Sequence, residues 1–176
     1  MVGRPPGGLT PTSRRTGGTV RPMTTTDELS ATIEIDAAPA QVWALIADLP
    51  RMREWSDQVV KTKVVGGEVK VGARMVNLNQ QGWKRWPTTA KVVRCTPHSD
   101  LAFRVAENKT VWSYQLEPVD GGARTRVTHR RETPQGISGL SKGLTKVVLG
   151  GMEQFTEDMR SGMQTTLQRI KAAAER

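Results

Sequence analysis

Residues 137–174 read ISGLSKGLTKVVLGGMEQFTEDMRSGMQTTLQRIKAAA. Apolar side chains recur in it at Leu140, Leu144, Val148, Met152, Phe155, Met159, Met163, Leu167 and Ile170, a step of three or four residues each time. That step is the period of an α-helix, so the stretch predicts a long C-terminal helix with one greasy face. Gly150-Gly151 either kinks it or divides a short leading helix from the main one. A face of this length needs a covering layer, and the residues upstream supply one.

Ala31 to Asp36 alternates, with Ile33 and Ile35 on one side and Thr32, Glu34 and Asp36 on the other, the pattern of a half-buried strand. A helix is expected next, capped by Asp36, with Pro39 in its first turn and Val42, Trp43, Leu45 and Ile46 as its apolar face. It ends near Pro50. Arg51 to Ser56 forms one further short turn, whose Trp55 is expected to plug an end of the core. Six more strand-like segments follow, at 58–65, 71–79, 83–95, 101–106, 109–117 and 123–132. Gly66-Gly67, Gln81-Gly82, Pro97-His98, Glu107-Asn108 and Asp120-Gly121-Gly122 separate them as turns, which makes consecutive strands antiparallel neighbours. The predicted class is α+β: an antiparallel sheet of about seven strands curved around the C-terminal helix, with two short helices after the first strand.

Composition limits what such a domain does. The 176 residues suit one domain, and a single cysteine, Cys95, excludes an intrachain disulfide framework. The formal charge of +9 favours anionic partners, but Arg4, Arg14, Arg15 and Arg21 all precede the first acid, Asp27. Residues 1–28, rich in Gly, Pro, Thr and Arg, read as a disordered basic tail, because they cannot bury enough surface to offset their ordering. The domain proper is 29–176. Met23 is an alternative start, and Ser13-Arg14-Arg15 lacks the apolar run of an export signal. With no apolar window long enough to span a bilayer, the expected location is cytoplasmic, peripheral at a membrane if the surface charge engages one.

Several local phrases carry a resemblance. They are Ile33-Glu34-Ile35-Asp36-Ala37-Ala38-Pro39-Ala40-Gln41-Val42-Trp43, Ala47-Asp48-Leu49-Pro50 through Trp55, and Val71-Gly72-Ala73-Arg74. Trp112-Ser113-Tyr114-Gln115-Leu116-Glu117-Pro118 and Gly122-Ala123-Arg124-Thr125-Arg126-Val127-Thr128 continue them. In this order they resemble the START-like (SRPBCC, helix-grip) superfamily, and within it the polyketide cyclase/dehydrase and lipid-transport group. The resemblance implies a cavity between sheet and C-terminal helix that holds a hydrophobic ligand. Alternation independently turns Trp86, Thr88, Ala90 and Val92 inward, together with Leu101, Phe103 and Val105, Trp112, Tyr114 and Leu116, and Thr125, Val127 and His129. The strand around Val76 is ambiguous. Val76 and Leu78 make one face; similarity to the family favours the other, Met75, Asn77 and Asn79, inside.

The expected binding residues are therefore Met75, Asn77, Asn79, Trp86, Ala90, Phe103, Trp112, Tyr114, His129, Met152, Phe155, Met159 and Met163. Thioethers on the helix suit an adaptable floor, and Tyr114, His129 and Asn79 are the polar groups that would orient a ligand. Three function classes remain. The first is a binding or carrier protein for a lipid or polyketide-like molecule. The second is a cyclase/aromatase-type enzyme with His129 as base and Tyr114 as donor. The third is a protein-interaction module of the toxin or assembly-factor type. No metal-ligand spacing, P-loop, dinucleotide fingerprint or nucleophile elbow is present, so no metal and no cofactor are expected. Arg124, Arg126 and Arg130 form a basic stripe on one strand, and Lys142 and Lys146 make 138–149 a basic amphipathic segment able to touch an acidic membrane weakly. Nucleic acid is not an expected partner, and oligomeric state is not legible.

Overall fold

A computed structural model describes residues 28–134 and 152–176, with side chains in the second stretch described from 156 onward. The strands are β1 (Leu29–Ile35), β2 (Val59–Val65), β3 (Arg74–Gln81), β4 (Lys84–Thr96), β5 (Asp100–Val105), β6 (Val111–Val119) and β7 (Arg124–Glu132). They form one seven-stranded antiparallel sheet in the order β1-β7-β6-β5-β4-β3-β2. Short turns lay β2 to β7 side by side, and β1 closes onto β7 with Ile35 opposite Thr125 and Leu29 opposite Arg131. The register shifts between Val59 and Lys61 in β2 and between Val92 and Arg94 in β4. Such bulges bend and twist a strand, and they curve this sheet around the core.

Between β1 and β2 come helix α1 (Pro39–Ile46), a 3-10 turn at Leu49–Arg51 and the single-turn helix α2 (Met52–Trp55). Pro39 opens α1 as expected, but Asp36 does not cap it. The cap is Ala38, whose N–H donates to Gln41 Oε1 at 3.2 Å, while the Asp36 N–H donates to Glu175 Oε1 at 2.7 Å. Asp36 is drawn to the far end of the chain.

The last helix, α3 (Met152–Ala174), lies on β1, α1 and α2. Among its described side chains the buried ones are Met163, Thr166, Leu167 and Ile170, a spacing that marks one helical face. Leu167 and Ile170 are almost wholly removed from water, worth roughly 1.5–3 kcal/mol each. Polar contacts fix its end: Lys171 Nζ donates to the Glu34 carbonyl at 2.9 Å, and Arg169 donates to the Trp55 carbonyl at 3.2 Å while pairing with Asp57 at 2.6 Å. Trp55, 4% exposed under the Arg51 guanidinium, plugs the core end as its sequence position predicted.

Element edges moved in places. Val71, Gly72 and Ala73 belong to a turn, and Trp83 stands in the β3–β4 turn instead of in the strand. Lys109 takes a left-handed φ of +61°, which delays β6 to Val111. The expected tail up to residue 27, the leading helix segment 137–151 and Lys142 and Lys146 lie outside the described residues. Among the described residues no helix is long and apolar enough to cross a membrane.

Candidate functional site

The concave face of the sheet collects the candidate residues through register. On β6 and β7, Tyr114 stands opposite His129, and His129 opposite Ala31 of β1. One step along, Phe103 of β5 faces Trp112, and Trp112 faces Arg131. On the other half, Met75 pairs with Ala90, Asn77 with Thr88 and Asn79 with Trp86. Met75, Asn77 and Asn79 are buried and Val76 is 43% exposed, so β3 turns its polar face inward.

Side-chain hydrogen bonds explain that inversion. Thr62 Oγ1 donates to Asn77 Oδ1 at 2.8 Å, and Asn79 Nδ2 donates to Thr88 Oγ1 at 3.0 Å and, more weakly, to the Trp86 carbonyl at 3.4 Å. Buried amides are tolerated when they are paired, and these four side chains form a polar belt across β2, β3 and β4.

The β6–β7 half is different. The Tyr114 and His129 rings meet edge to face with centroids 4.2 Å apart, and Trp112 meets His129 at 5.5 Å. His129 is 4% exposed, and both of its ring nitrogens are buried without a hydrogen-bond partner. Burial alone pushes its pKa down to about 3, so the imidazole is neutral. Burial likewise raises the Tyr114 pKa, which keeps its hydroxyl protonated. The Arg131 guanidinium lies 5.9 Å from the Trp112 ring centroid, a cation–π contact on the same rim.

Met163 is buried and Met159 half-buried on α3, in the same core cluster as Tyr114, Phe103, Ala90 and Met75. Trp86 and Trp112 are half-buried. The side chains of Met152 and Phe155 lie outside those described. Sequence reasoning missed Thr62 and Arg131. Arg131 was findable, since it follows His129 by two residues and shares its face; Thr62 was hidden by its place in a lysine-flanked edge strand.

Other candidates fall away on geometry. Cys95 is half-buried, its Sγ lies 3.7 Å from the Val69 carbonyl, and burial and then Asp100 push its thiol pKa up. Among the described residues, no three His, Cys, Asp or Glu side chains gather to hold a metal ion. A surface depression of about 380 Å³ at the β2–β3 turn, lined by residues such as Val65, Lys70 and Ala73, contains none of the clustered residues. The basic stripe on β7 is neutralised: Arg124 pairs with Glu34, with Asp36 at 3.2 Å and with Asp120 at 3.0 Å, Arg126 with Glu34 at 2.8 Å, and Arg130 with Glu28 at 3.5 Å.

Residues 26–175 match the family described as polyketide cyclase / dehydrase and lipid transport. Among solved structures, the Polyketide_cyc-like protein Cgl2372 from Corynebacterium glutamicum is 24% identical, with a TM-score of 0.56 over 88% of this chain and 92% of that one. Protein NE0264 from Nitrosomonas europaea is 16% identical, with a TM-score of 0.61 over 82% and 92%. The di-domain ARO/CYC StfQ from the steffimycin biosynthetic pathway is 11% identical, with a TM-score of 0.68 over 85% of this chain and 51% of that one. At these identities the likeness is one of fold. No curated protein matches the chain in sequence.

Proposed function

Because the chain belongs to the polyketide cyclase / dehydrase and lipid transport family, we propose that it binds and carries a hydrophobic small molecule, a lipid or polyketide-like compound, between the concave sheet face and α3. The observation that carries this reading is His129, a buried imidazole with both nitrogens unpartnered among Tyr114 and Trp112. An orphaned buried polar group costs folding free energy of about 1–3 kcal/mol, and a ligand carbonyl or hydroxyl would recover it. Affinity then comes from apolar burial along Met75, Ala90, Phe103 and Met163, and orientation from His129, Tyr114 and the asparagine belt.

Carriage is favoured over cyclase chemistry by protonation. An imidazole whose pKa lies near 3 is a feeble base at neutral pH, whereas general bases work best with pKa values near the operating pH. The test is binding of a neutral solvatochromic dye such as Nile red to the full chain and to Ala90→Phe, with native mass spectrometry of co-purified ligand. Bulk at Ala90 should weaken dye binding in a folded protein. Unchanged binding by folded Ala90→Phe would overturn the reading. Turnover of a model polyketone that is lost in His129→Ala would establish the cyclase-type function in its place.

A further inference from the structure

The two halves of the sheet treat charge differently on their outward faces. On β1, β6 and β7 the arginines are met by carboxylates, as Arg124 and Arg126 are by Glu34. On β2, β3 and β4 the outward cations Lys61, Lys63, Arg74 and Lys91 are exposed, and among the described residues none of these four pairs with a carboxylate, although Arg94 near the end of β4 pairs with Asp100 at 2.8 Å. Arg74 even stands directly opposite Lys91. A like-charge cross-strand pair is destabilising, so the fold gains nothing by keeping it there. Glu107 reaches this region from β5's end, but its carboxylate is taken by the Thr89 N–H at 2.8 Å and hydroxyl at 3.0 Å.

The same half carries the exposed apolar surface. Among the described residues the large hydrophobic side chains left in water are Val60, Val65, Val71, Val76, Trp83 and Val93, and every one lies between β2 and β4. Trp83 is 87% exposed at the tip of the β3–β4 hairpin, where Gly82 (φ +58°) makes the two-residue turn, and Lys84 Nζ sits 5.8 Å from its ring. Exposed Trp beside Lys and Arg is costly in water and well suited to the bilayer interface, where the amphipathic ring rests at headgroup depth and the cations meet lipid phosphates.

We propose that the outward face of β2–β4, led by the Trp83 hairpin tip, docks on an anionic lipid bilayer. Aliphatic valines interspersed with unpaired cations complement headgroups over a shallow apolar layer; a phosphodiester backbone would meet the cations and leave Val65 and Val76 in water. The residues of this surface are other than 138–149, and the proposal does not depend on the occupancy of the concave face.

The test is co-sedimentation of the full chain with phosphatidylcholine vesicles with and without about 30% phosphatidylglycerol, at low and high salt. The chain should bind the anionic vesicles at low salt, bind neutral ones far less, and lose binding at high salt. Each basic residue near the surface is worth about fivefold, so Lys63→Glu/Lys91→Glu should weaken binding by about twenty-five-fold or more. Trp83→Ala should weaken it several-fold, and Arg126→Gln, on the ion-paired half, should leave it unchanged. Lys63→Gln/Lys91→Gln repeats the test with a milder pair if charge reversal impairs folding. Binding retained in both the lysine and tryptophan variants would overturn the proposal. So would a wild-type chain that ignores anionic vesicles and captures an oligonucleotide or self-associates through this face.

Discussion

Tyr114 and His129 face each other across the β6–β7 ladder, their rings edge to face at 4.2 Å, with no hydrogen bond reaching either imidazole nitrogen. Cross-strand register creates this pairing, because both residues fall on the inward phase of their strands and the short Asp120–Gly122 turn fixes which residues meet. Leu101 on one side and Ala31 on the other complete the row. A small residue at 31 and a large polar ring at 129 are poor choices for packing alone, and they leave the imidazole beside Trp112 as the polar group that a bound molecule would address.

Substituting His129 by Leu should therefore stabilise the empty protein while weakening ligand binding. The unpartnered imidazole carries a desolvation penalty of about 1–3 kcal/mol, and an apolar side chain of similar size removes it. Urea unfolding at neutral pH should show a higher midpoint for His129→Leu, with reduced Nile red binding. A lower midpoint would mean that the imidazole is satisfied in solution, through a water or a resident ligand.

Stability should fall with acid in a window set by the same residue. Its folded pKa, about 3, lies below the unfolded value near 6.5, so as pH falls the unfolded chain takes up a proton first. The contribution is fully present above about pH 6.5 and is lost progressively toward pH 3, at about 1.4 kcal/mol per unit once the unfolded imidazole is charged. The hydrogen bond from Arg126 is the chief cause that holds the Glu34 carboxyl below its ordinary value. Between about pH 6 and 5 the wild-type unfolding free energy should therefore slope with pH, and His129→Leu should flatten it. Identical slopes in the two proteins would show that His129 protonates freely in the folded state.

Most of this architecture was legible because its signals are local. Turn residues and alternation delimit six consecutive strands, and the helical period of Met163, Leu167 and Ile170 marks the face of α3 that is buried. What alternation leaves ambiguous is β3, where the family resemblance favoured Met75, Asn77 and Asn79 inside and all three are buried. By apolar character Val76 and Leu78 belong inside, yet Asn77 and Asn79 are there, because Thr62 and Thr88 on neighbouring strands satisfy their amides. Asp36 misled for a related reason: its N–H finds Glu175, a partner 139 residues away that no local pattern announces. The β7 arginines were readable as a stripe, but their neutralisation by Glu34 and Asp36 depends on β1 pairing with β7. Long-range partnership decides the polar positions, and a single sequence does not spell it out.

The asparagine belt should behave as a coupled unit. Thr62→Val removes the donor to the buried Asn77 Oδ1 and leaves that oxygen unpaired, a loss of about 1–3 kcal/mol. Asn77→Leu in the same chain removes the orphaned acceptor, so the double variant should be more stable than the sum of the single losses predicts. The check is a double-mutant cycle of unfolding free energies, with a coupling of about 0.5–3 kcal/mol expected for residues in direct contact. Additive losses would mean that Thr62 and Asn77 do not share their hydrogen bond in solution.

Helix α3 is held by burial more than by its polar pins, and the two can be separated. Leu167 is fully buried among the residues that join the helix to β1 and α1, so Leu167→Ala deletes apolar contacts and leaves a cavity that the sheet cannot easily fill. Such truncations cost about 2–5 kcal/mol. Glu175 accepts from the Asp36 N–H and pairs with Lys171 at the exposed helix end, where solvent screens the charge and can replace the lost partner. Glu175→Ala should therefore shift the urea midpoint far less than Leu167→Ala does. If the closing helix instead depends on its terminal pins, the order reverses, and Glu175→Ala releases the helix end and exposes amides along α3 to rapid hydrogen exchange. Measuring both midpoints together with exchange at Met163 to Ile170 distinguishes the cases. A buried seam predicts slow exchange in Glu175→Ala and faster exchange, spread along the whole seam, in Leu167→Ala.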